Sequence, residues 1–107
     1  MTIWNRKADE HPKHERESVV EAHFCDVVKA LGGIAYKFKA PGRANVEDRI
    51  AMLPRARLWL VELKANGEEP SDAQLREHAR HREMGFNVAV LDSRAAVDAW
   101  GARVALT

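Results

Sequence analysis

The chain has 107 residues, of which 46% are hydrophobic and 31% are charged, and its net charge is +1. This length fits one domain with a modest core, and no apolar run is long enough to span a membrane. The first residues lack the apolar stretch of a signal peptide, and Cys25 is the only cysteine. We therefore expect an intracellular, cytoplasmic protein and exclude a disulfide scaffold and a membrane protein.

The predicted elements begin with a polar arm at residues 1–13, expected to be poorly ordered or to dock onto a partner. A helix is predicted from Pro12 to Leu31, because apolar residues recur there at helical spacing and Gly32-Gly33 ends it. Further along, strands are predicted at 34–38, 46–53 and 58–64, a helix at 71–84, a strand at 87–91 and a short helix at 94–100. The order is α-β-β-β-α-β-α.

The strongest chemical signal is Asp48, followed fourteen positions later by Glu62-Leu63-Lys64 at the end of an apolar strand. Alternation along the strand puts Glu62 and Lys64 on one face. Phosphodiester hydrolysis needs a divalent cation, an activated water and a positive group near the developing charge. Two carboxylates and the Leu63 backbone carbonyl would be enough protein ligands for Mg²⁺, which keeps several of its waters. The alternative is a Glu–Lys pair at a fraying strand end.

A turn at Pro54-Arg55-Ala56-Arg57 predicts a hairpin that brings Asp48 close to Glu62-Leu63-Lys64. On the first helix, Glu17 lies near the centre of the apolar stripe and Glu21 lies at its edge. We therefore expect Glu17 to face inward and to join the metal site directly or through water, with Glu21 in support. The alternative for Glu17 is an acidic residue that stabilises the helix N-terminus.

The helix predicted from Ser71 carries two further candidates. Gln74 either closes a capping box with Ser71 or orients the attacking water and contacts the phosphate. His78 and His81 lie three residues apart, but no third ligand stands at zinc spacing. We expect both histidines to be solvated or near phosphate.

Basic residues are concentrated just ahead of the candidate site. Residues 36–57 contain six basic and two acidic side chains, a net charge of +4. Lys37, Lys39 and Arg43 are predicted to grip a nucleic-acid backbone at a site that must attract phosphate and a dication together. The alternative is a solvated basic face.

Several of these elements agree in order with one nuclease family over residues 15–98. They are Glu17-x-x-x-Glu21, Gly32-Gly33, Tyr36-Lys37-Phe38, Pro41-Gly42-Arg43, Val46-Glu47-Asp48-Arg49, Val61-Glu62-Leu63-Lys64, Gln74 and Gly85-Phe86. The pattern resembles the VRR-NUC family, within the PD-(D/E)xK nuclease superfamily. Two positions depart from it, because Glu47 stands where the family usually has Pro and Asn45 where it usually has Gly. We expect Glu47 to point away from the metal site and Asn45 to tolerate a left-handed backbone.

The resemblance implies an α/β restriction-endonuclease-like fold, with a central mixed β-sheet flanked by helices in one nuclease domain at residues 14–107. It implies that Asp48 and Glu62 bind Mg²⁺ or Mn²⁺ and that Lys64 stabilises charge or positions the water. Glu17 and Gln74 would complete the site.

Stand-alone domains of this type resemble Holliday junction resolvases, which act as homodimers on branched DNA and occur in phage genomes. The first hypothesis is therefore a metal-dependent, structure-specific DNA endonuclease. The second is a non-catalytic nucleic-acid binding module that keeps the nuclease scaffold. A third is a purely structural dimerisation domain, which predicts no DNA affinity at any salt concentration.

Overall fold

The computed structural model describes residues 3–6 and 15–107, and the strands of this part form one mixed sheet with helices packed against it. The elements are β1 (Ile3–Arg6), α1 (Glu17–Ala30), β2 (Ile34–Lys37), β3 (Arg49–Leu53), β4 (Arg57–Leu63), α2 (Asp72–Glu83), β5 (Asn87–Leu91) and α3 (Arg94–Ala105). From α1 onward this order confirms the predicted α-β-β-β-α-β-α arrangement and the restriction-endonuclease-like α/β class.

The sheet has the strand order β1-β5-β4-β3-β2. Strands β2, β3 and β4 are antiparallel neighbours, whereas β4, β5 and β1 run parallel. Strand β4 is therefore central, and its last five residues, 59–63, are all buried. A continuous apolar sequence fits a strand that is covered on both faces. Glu62 and Leu63 thus lie at the end of a central strand and not on an edge strand that could fray.

The N-terminal arm contains a strand that the sequence did not predict. Residues 3–6 form β1, which pairs in parallel with β5 in the register Ile3 to Val88 through Arg6 to Leu91. Residues 3–6 thus pair with a strand of their own chain, while the expectation of a poorly ordered or partner-docking arm stays a prediction. A four-residue strand is too short to show a periodic pattern. The other arm residues lie outside the described ranges.

Helix α1 begins at Glu17, later than the predicted start at Pro12, which lies outside the described residues. Arg16 precedes the helix with an extended backbone at φ −72° and ψ 152°. The predicted end is confirmed within one residue, because Leu31 caps the helix and Gly32 turns with φ +85°. Gly33 is also required there, since a Cβ atom would lie 2.4 Å from the Met52 carbonyl oxygen.

The main core lies between one face of the sheet and helices α1 and α3. Trp100 is fully buried, with its ring centroid 5.2 Å from that of Phe24 and 5.8 Å from that of Trp59. Edge-on and tilted contacts of this kind stabilise a core beyond the area they bury. Helix α3 continues to Ala105, well past its predicted end at Trp100. No helix in the described ranges is long and apolar enough to cross a membrane.

The predicted hairpin between β3 and β4 is confirmed, with Leu53 paired to Arg57. Strand β3 begins at Arg49 rather than Val46, so Asp48 stands just ahead of it. The backbone of Asp48 is nevertheless held on both sides, because its N–H donates to the Val61 carbonyl at 3.0 Å and its carbonyl accepts from the Phe38 N–H at 2.8 Å. The candidate ligand therefore lies on a fixed backbone between two strands.

The hairpin turn offers a test of local strain. Ala56 has φ +59°, in the left-handed region that costs residues with a Cβ atom about 1–2 kcal/mol. We expect Ala56→Gly to raise the free energy of unfolding by about 0.5–1 kcal/mol, after the entropy that glycine gains in the unfolded chain. Urea denaturation measures the change. The control Ala102→Gly, within helix α3, is expected to destabilise by about 1 kcal/mol.

Candidate active site

The site is built around the ends of strands β3 and β4. Asp48 precedes β3, and its Oδ2 accepts a hydrogen bond of 2.9 Å from the backbone N–H of Leu63. Glu62 immediately precedes Leu63 in β4 and is only 2% exposed. The hairpin thus brings the two carboxylates to one end of the sheet, as the sequence predicted.

Three side chains surround the carboxylate of Glu62. Lys64 Nζ lies 3.6 Å from Glu62 Oε2, and Gln74 Nε2 donates to the same oxygen at 3.3 Å. His78 Nε2 lies 3.5 Å from Glu62 Oε1. The Glu–Lys contact is therefore real, but it lies in a buried network and not at a fraying strand end.

Gln74 forms the predicted capping box and also contacts two residues of the candidate site, while its role toward water or phosphate stays a prediction. It closes a capping box, because its Oε1 accepts from the Ser71 N–H at 2.9 Å and its own N–H donates to Ser71 Oγ at 3.1 Å. The same Oε1 also accepts from Lys64 Nζ at 3.0 Å. The cap fixes the side chain, and the fixed amide then links Lys64 to Glu62.

The surroundings of Asp48 disfavour the charged form of its carboxyl group. The pKa of Asp48 is raised from 3.8 to about 6; burial is the main cause and the neighbouring Glu62 carboxyl adds to it, while the Leu63 N–H and Lys64 oppose the shift. Two carboxyl groups held this closely favour keeping a proton or binding a cation. Strongly shifted carboxyl groups of this kind are typical of functional sites.

The raised pKa of Asp48 predicts how the metal-free protein responds to pH. The folded state holds the Asp48 proton more tightly than the unfolded state does. The stabilisation from this bound proton is therefore complete below about pH 4 and is lost as the pH rises through about 6. The carboxyl is only half-buried, so after solvent screening we expect a loss of about 1 kcal/mol. The measurement is urea denaturation of wild type and Asp48→Asn from pH 4 to 7 in metal-free buffer.

Asp48→Asn keeps an acceptor for the Leu63 N–H but cannot titrate. The stability difference between wild type and variant should therefore move in favour of the variant as the pH rises. A difference that is constant over this range would contradict the raised pKa.

A cleft of about 260 Å³ opens beside Asp48. It is lined by Glu17, Glu21, Lys37, Phe38, Lys39 and Asp48. Glu17 is exposed on the first turn of α1, so the prediction that it faces the core is wrong: this turn borders the cleft. Burial raises the pKa of Glu17, and the charge of Asp48 raises it further, so the two carboxylates interact electrostatically.

Glu21 also lines the cleft, but it is held in an ion pair with Arg49. Its Oε2 accepts from Arg49 Nε at 3.1 Å, and Arg49 also donates to the Ala35 carbonyl at 3.2 Å. This ion pair ties α1 to strands β2 and β3. Glu17 is therefore the better placed of the two glutamates for a ligand in the cleft.

The basic stretch divides into two groups. Lys37 and Lys39 line the cleft beside Asp48. Arg43 instead forms a two-pronged ion pair with Glu77 of α2, and Arg57 donates to the Val104 carbonyl at 2.7 Å at the end of α3. The two lysines thus fit the predicted contact with phosphates, whereas Arg43 is held by a carboxylate of its own protein.

Helix α2 contributes residues that the sequence analysis misjudged. His78 is 0% exposed and faces Glu62, and the side chain of His81 is 12% exposed and contacts the fully buried Glu47. The expectation of solvated histidines is therefore wrong. Gln74, Glu77, His78 and His81 recur at helical spacing, and this periodicity could have identified the inward face had polar residues been counted with apolar ones.

The donor set fits a hard divalent cation. Asp48, Glu62, the Leu63 carbonyl and Glu17 are all oxygen donors, which suit Mg²⁺ or Mn²⁺ better than zinc. Glu62 Oε1 makes no hydrogen bond with the described residues although it is buried. Within residues 3–6 and 15–107, no three His, Cys, Asp or Glu side chains converge on a preformed ion position. A cation held here would therefore keep several waters.

Comparisons with known proteins agree with this fold. No family model matches the sequence. A curated protein described as "Putative nuclease p44", from Acyrthosiphon pisum secondary endosymbiont phage 1, is 51% identical over 79 residues, which are 74% of this chain and 85% of that protein. A solved structure described as "VRR_NUC domain" superposes with a TM-score of 0.73 at 38% identity, covering 77% of this chain and 89% of the other.

The mixed sheet and the carboxylate pair at the end of its central strand define a domain of the restriction-endonuclease-like class. The similarity to both proteins extends over most of each chain and well above the level at which only the fold is shared. The chain belongs to the VRR-NUC domain family, within the PD-(D/E)xK nuclease superfamily.

Proposed function

We propose that this protein is a Mg²⁺- or Mn²⁺-dependent DNA endonuclease that hydrolyses phosphodiester bonds in branched DNA such as Holliday junctions. The observation that carries the proposal is the meeting of Asp48, Glu62 and Lys64 beside a cleft that Lys37 and Lys39 also line. A carboxylate pair for a cation, an ammonium group for developing charge and lysines for the backbone are what this hydrolysis requires. The phage origin of the p44 relative supports a phage-encoded enzyme that acts inside the host cell.

Asp48 and Glu62 would hold the cation, with the Leu63 carbonyl as a further ligand. On a strand, the N–H and C=O of one residue project to the same side. Since the Leu63 N–H points to Asp48, its carbonyl is directed to the same side. Glu17, across the cleft, would join directly or through a water. When bound, the cation would neutralise the scissile phosphate and lower the pKa of a bound water.

Lys64 and Gln74 act on the reacting atoms rather than on the ligand set. Lys64 Nζ is held by Gln74 Oε1 at 3.0 Å, which fixes the ammonium group beside Glu62. In this position it would stabilise charge on the phosphate or position the attacking water. Gln74 would orient that water or contact the phosphate through its amide. Lys37 and Lys39 would contact the neighbouring phosphates, while Arg43 would do so only by sharing its guanidinium with Glu77.

The test is cleavage of labelled duplex, flap and four-way junction DNA by wild type and Asp48→Asn, with Mg²⁺, Mn²⁺ or EDTA. We expect junctions to be cut with either metal, and no cutting with EDTA or by the variant. Cutting of flaps in preference to junctions would refute the Holliday junction assignment but keep the nuclease. Binding without cleavage under every condition would refute catalysis and support a non-catalytic binding module.

We further propose that the enzyme works as a homodimer through the uncovered face of strands β2 and β3. Ile34 pairs with Met52 across the two strands, and Tyr36 lies two residues along β2, so all three project from one face. These side chains are 55%, 49% and 48% exposed. Strand β2 is also an edge of the sheet. Neighbouring exposed apolar side chains on a sheet edge favour association with a second copy.

Sedimentation of wild type and Ile34→Lys tests the dimer. Wild type should sediment as a dimer and the variant as a monomer, because a lysine on the interface would be buried without a partner. Val19→Lys, at a 40% exposed apolar position on α1, is the matched control and should remain dimeric. A monomeric wild type at micromolar concentration would refute the proposal.

A further inference from the structure

Helix α2 turns a polar face to the sheet, which is unusual for a helix that packs on a core. The four side chains of this polar face, Gln74, Glu77, His78 and His81, recur at i, i+3, i+4 and i+7. Glu77 is 6% exposed and His78 is 0% exposed. Burying such groups costs free energy unless they are bonded, so their partners indicate what the face does.

One half of the polar face forms a chain of contacts with the loop between β2 and β3. His81 Nδ1 lies 2.8 Å from Glu47 Oε1 and 2.9 Å from Oε2. On its other side, His81 Nε2 is 3.6 Å from Glu77 Oε2, and Arg43 Nη2 donates to Glu77 Oε1 at 2.9 Å. Glu47, His81, Glu77 and Arg43 thus form a continuous series of side-chain contacts, the α2–loop relay.

Both ends of the α2–loop relay lie on the segment that leads into Asp48. This segment has an irregular backbone, with Asn45 in the left-handed region at φ +68°, as the sequence predicted for that position. Glu47 is fully buried and is the residue immediately before Asp48. A side chain anchored at Glu47 therefore limits the movement of the neighbouring α-carbon, which carries the candidate metal ligand.

We propose that the buried Glu47–His81 pair positions Asp48 for the reaction, so that Glu47 and His81 are positioning residues of the proposed nuclease. The inference rests on the proposed function. Asp48 and Glu62 repel each other once both are ionised, and no β-ladder extends to the loop on the N-terminal side of Asp48. The Glu47–His81 pair adds a side-chain restraint just ahead of Asp48, beyond the backbone hydrogen bonds that Asp48 makes with Val61 and Phe38. A displacement of about 1 Å in such a site costs about 10²-fold in rate.

A structural role and a positioning role predict different results for this pair. A buried ionisable pair can often be replaced by apolar residues of similar volume with no loss of stability, whereas removing one partner is costly. A double replacement therefore separates the two roles. Glu47→Leu/His81→Leu should stay folded and lose the positioning, and His23→Leu/Asp98→Leu is a matched control. His23 Nε2 contacts Asp98 Oδ1 at 2.6 Å on the exposed side of α1 and α3.

The experiment compares kcat, KM for junction DNA, Mn²⁺ affinity by calorimetry and melting temperature. In Glu47→Leu/His81→Leu we expect kcat to fall about 10–100-fold and Mn²⁺ binding to weaken about 10-fold, with little change in KM or melting temperature. The control pair should leave all four unchanged. His81→Gln, which retains a donor for Glu47, should recover most of the rate.

Two outcomes would overturn the positioning role. One is a folded double variant with wild-type kcat and Mn²⁺ affinity, and the other is a loss of kcat that follows melting temperature alone in every variant. If the double variant does not fold, Glu47→Gln carries the same test with a smaller expected loss. If wild type itself never cleaves, the proposed nuclease function fails. Mn²⁺ affinity and hydrogen exchange of residues 43–48 still report whether the pair anchors Asp48.

Discussion

Glu62→Gln is expected to lower metal-dependent cleavage by about 10³-fold while the protein remains folded. The amide keeps the size of Glu62 and can still accept from Gln74 Nε2, so the buried network around it survives. What it loses is the negative charge, and with it half of the carboxylate pair that attracts the cation. Mn²⁺ affinity measured by calorimetry should therefore fall together with the rate.

A second measurement separates electrostatics from misfolding. The charge of Glu62 contributes to the raised pKa of Asp48, so Glu62→Gln should lower the pKa of Asp48 toward its usual value. The pH at which the metal-free protein loses stability should then move downward. The matched control is Glu83→Gln, at an exposed position of α2, which should change neither rate nor metal affinity. Wild-type cleavage by Glu62→Gln would remove Glu62 from the catalytic set.

The centre of the site could be predicted because short-range geometry determines it. Alternation along one strand sets Glu62 beside Lys64, and a hairpin with a recognisable turn brings Asp48 to the same end of the sheet. Both inferences need only local backbone periodicity. The element order from α1 to α3 followed from the same periodicity, and so its outline was correct although β3 and α1 began later than expected.

The parts that could not be predicted depend on contacts between distant segments. His81 and Glu47 are separated by 34 positions, and nothing near either residue indicates a partner. Histidines on a helix rich in arginine have the composition of a solvated surface. Only the packing of α2 against the sheet turns that face inward. Strand β1 likewise exists because β5 has an open edge, which the four residues of β1 do not reveal.

Glu17 lies beside Asp48 although its predicted inward orientation was wrong. Its position on the apolar stripe of α1 suggested an inward side chain near the metal. The structure leaves it exposed but lining the cleft with Asp48, because α1 starts at Glu17 and its first turn borders the cleft and not the core. Helical periodicity gives a direction around the axis, whereas burial depends also on how far the partner surface extends along it.

Lys64→Met is expected to lower cleavage by about 10²–10³-fold but to leave metal binding largely intact, which distinguishes it from Glu62→Gln. The side chain of Lys64 is 17% exposed and contacts Glu62 and Gln74. Methionine keeps most of the aliphatic stem and removes only the ammonium group. Glu62 then loses one partner, so we expect the free energy of unfolding to fall by about 1 kcal/mol.

The loss of the Lys64 charge also predicts a change in pH dependence. Lys64 lowers the pKa of Asp48 in wild type, so Lys64→Met should raise that pKa further, and metal binding should then require a higher pH. The measurement is Mn²⁺ affinity and cleavage rate from pH 5 to 9, with Lys29→Met on the exposed end of α1 as the matched control. Cleavage that recovers fully at high pH would mean that Lys64 acts only by keeping Asp48 ionised. A rate that stays low while Mn²⁺ binds normally would assign Lys64 to the reacting phosphate or water.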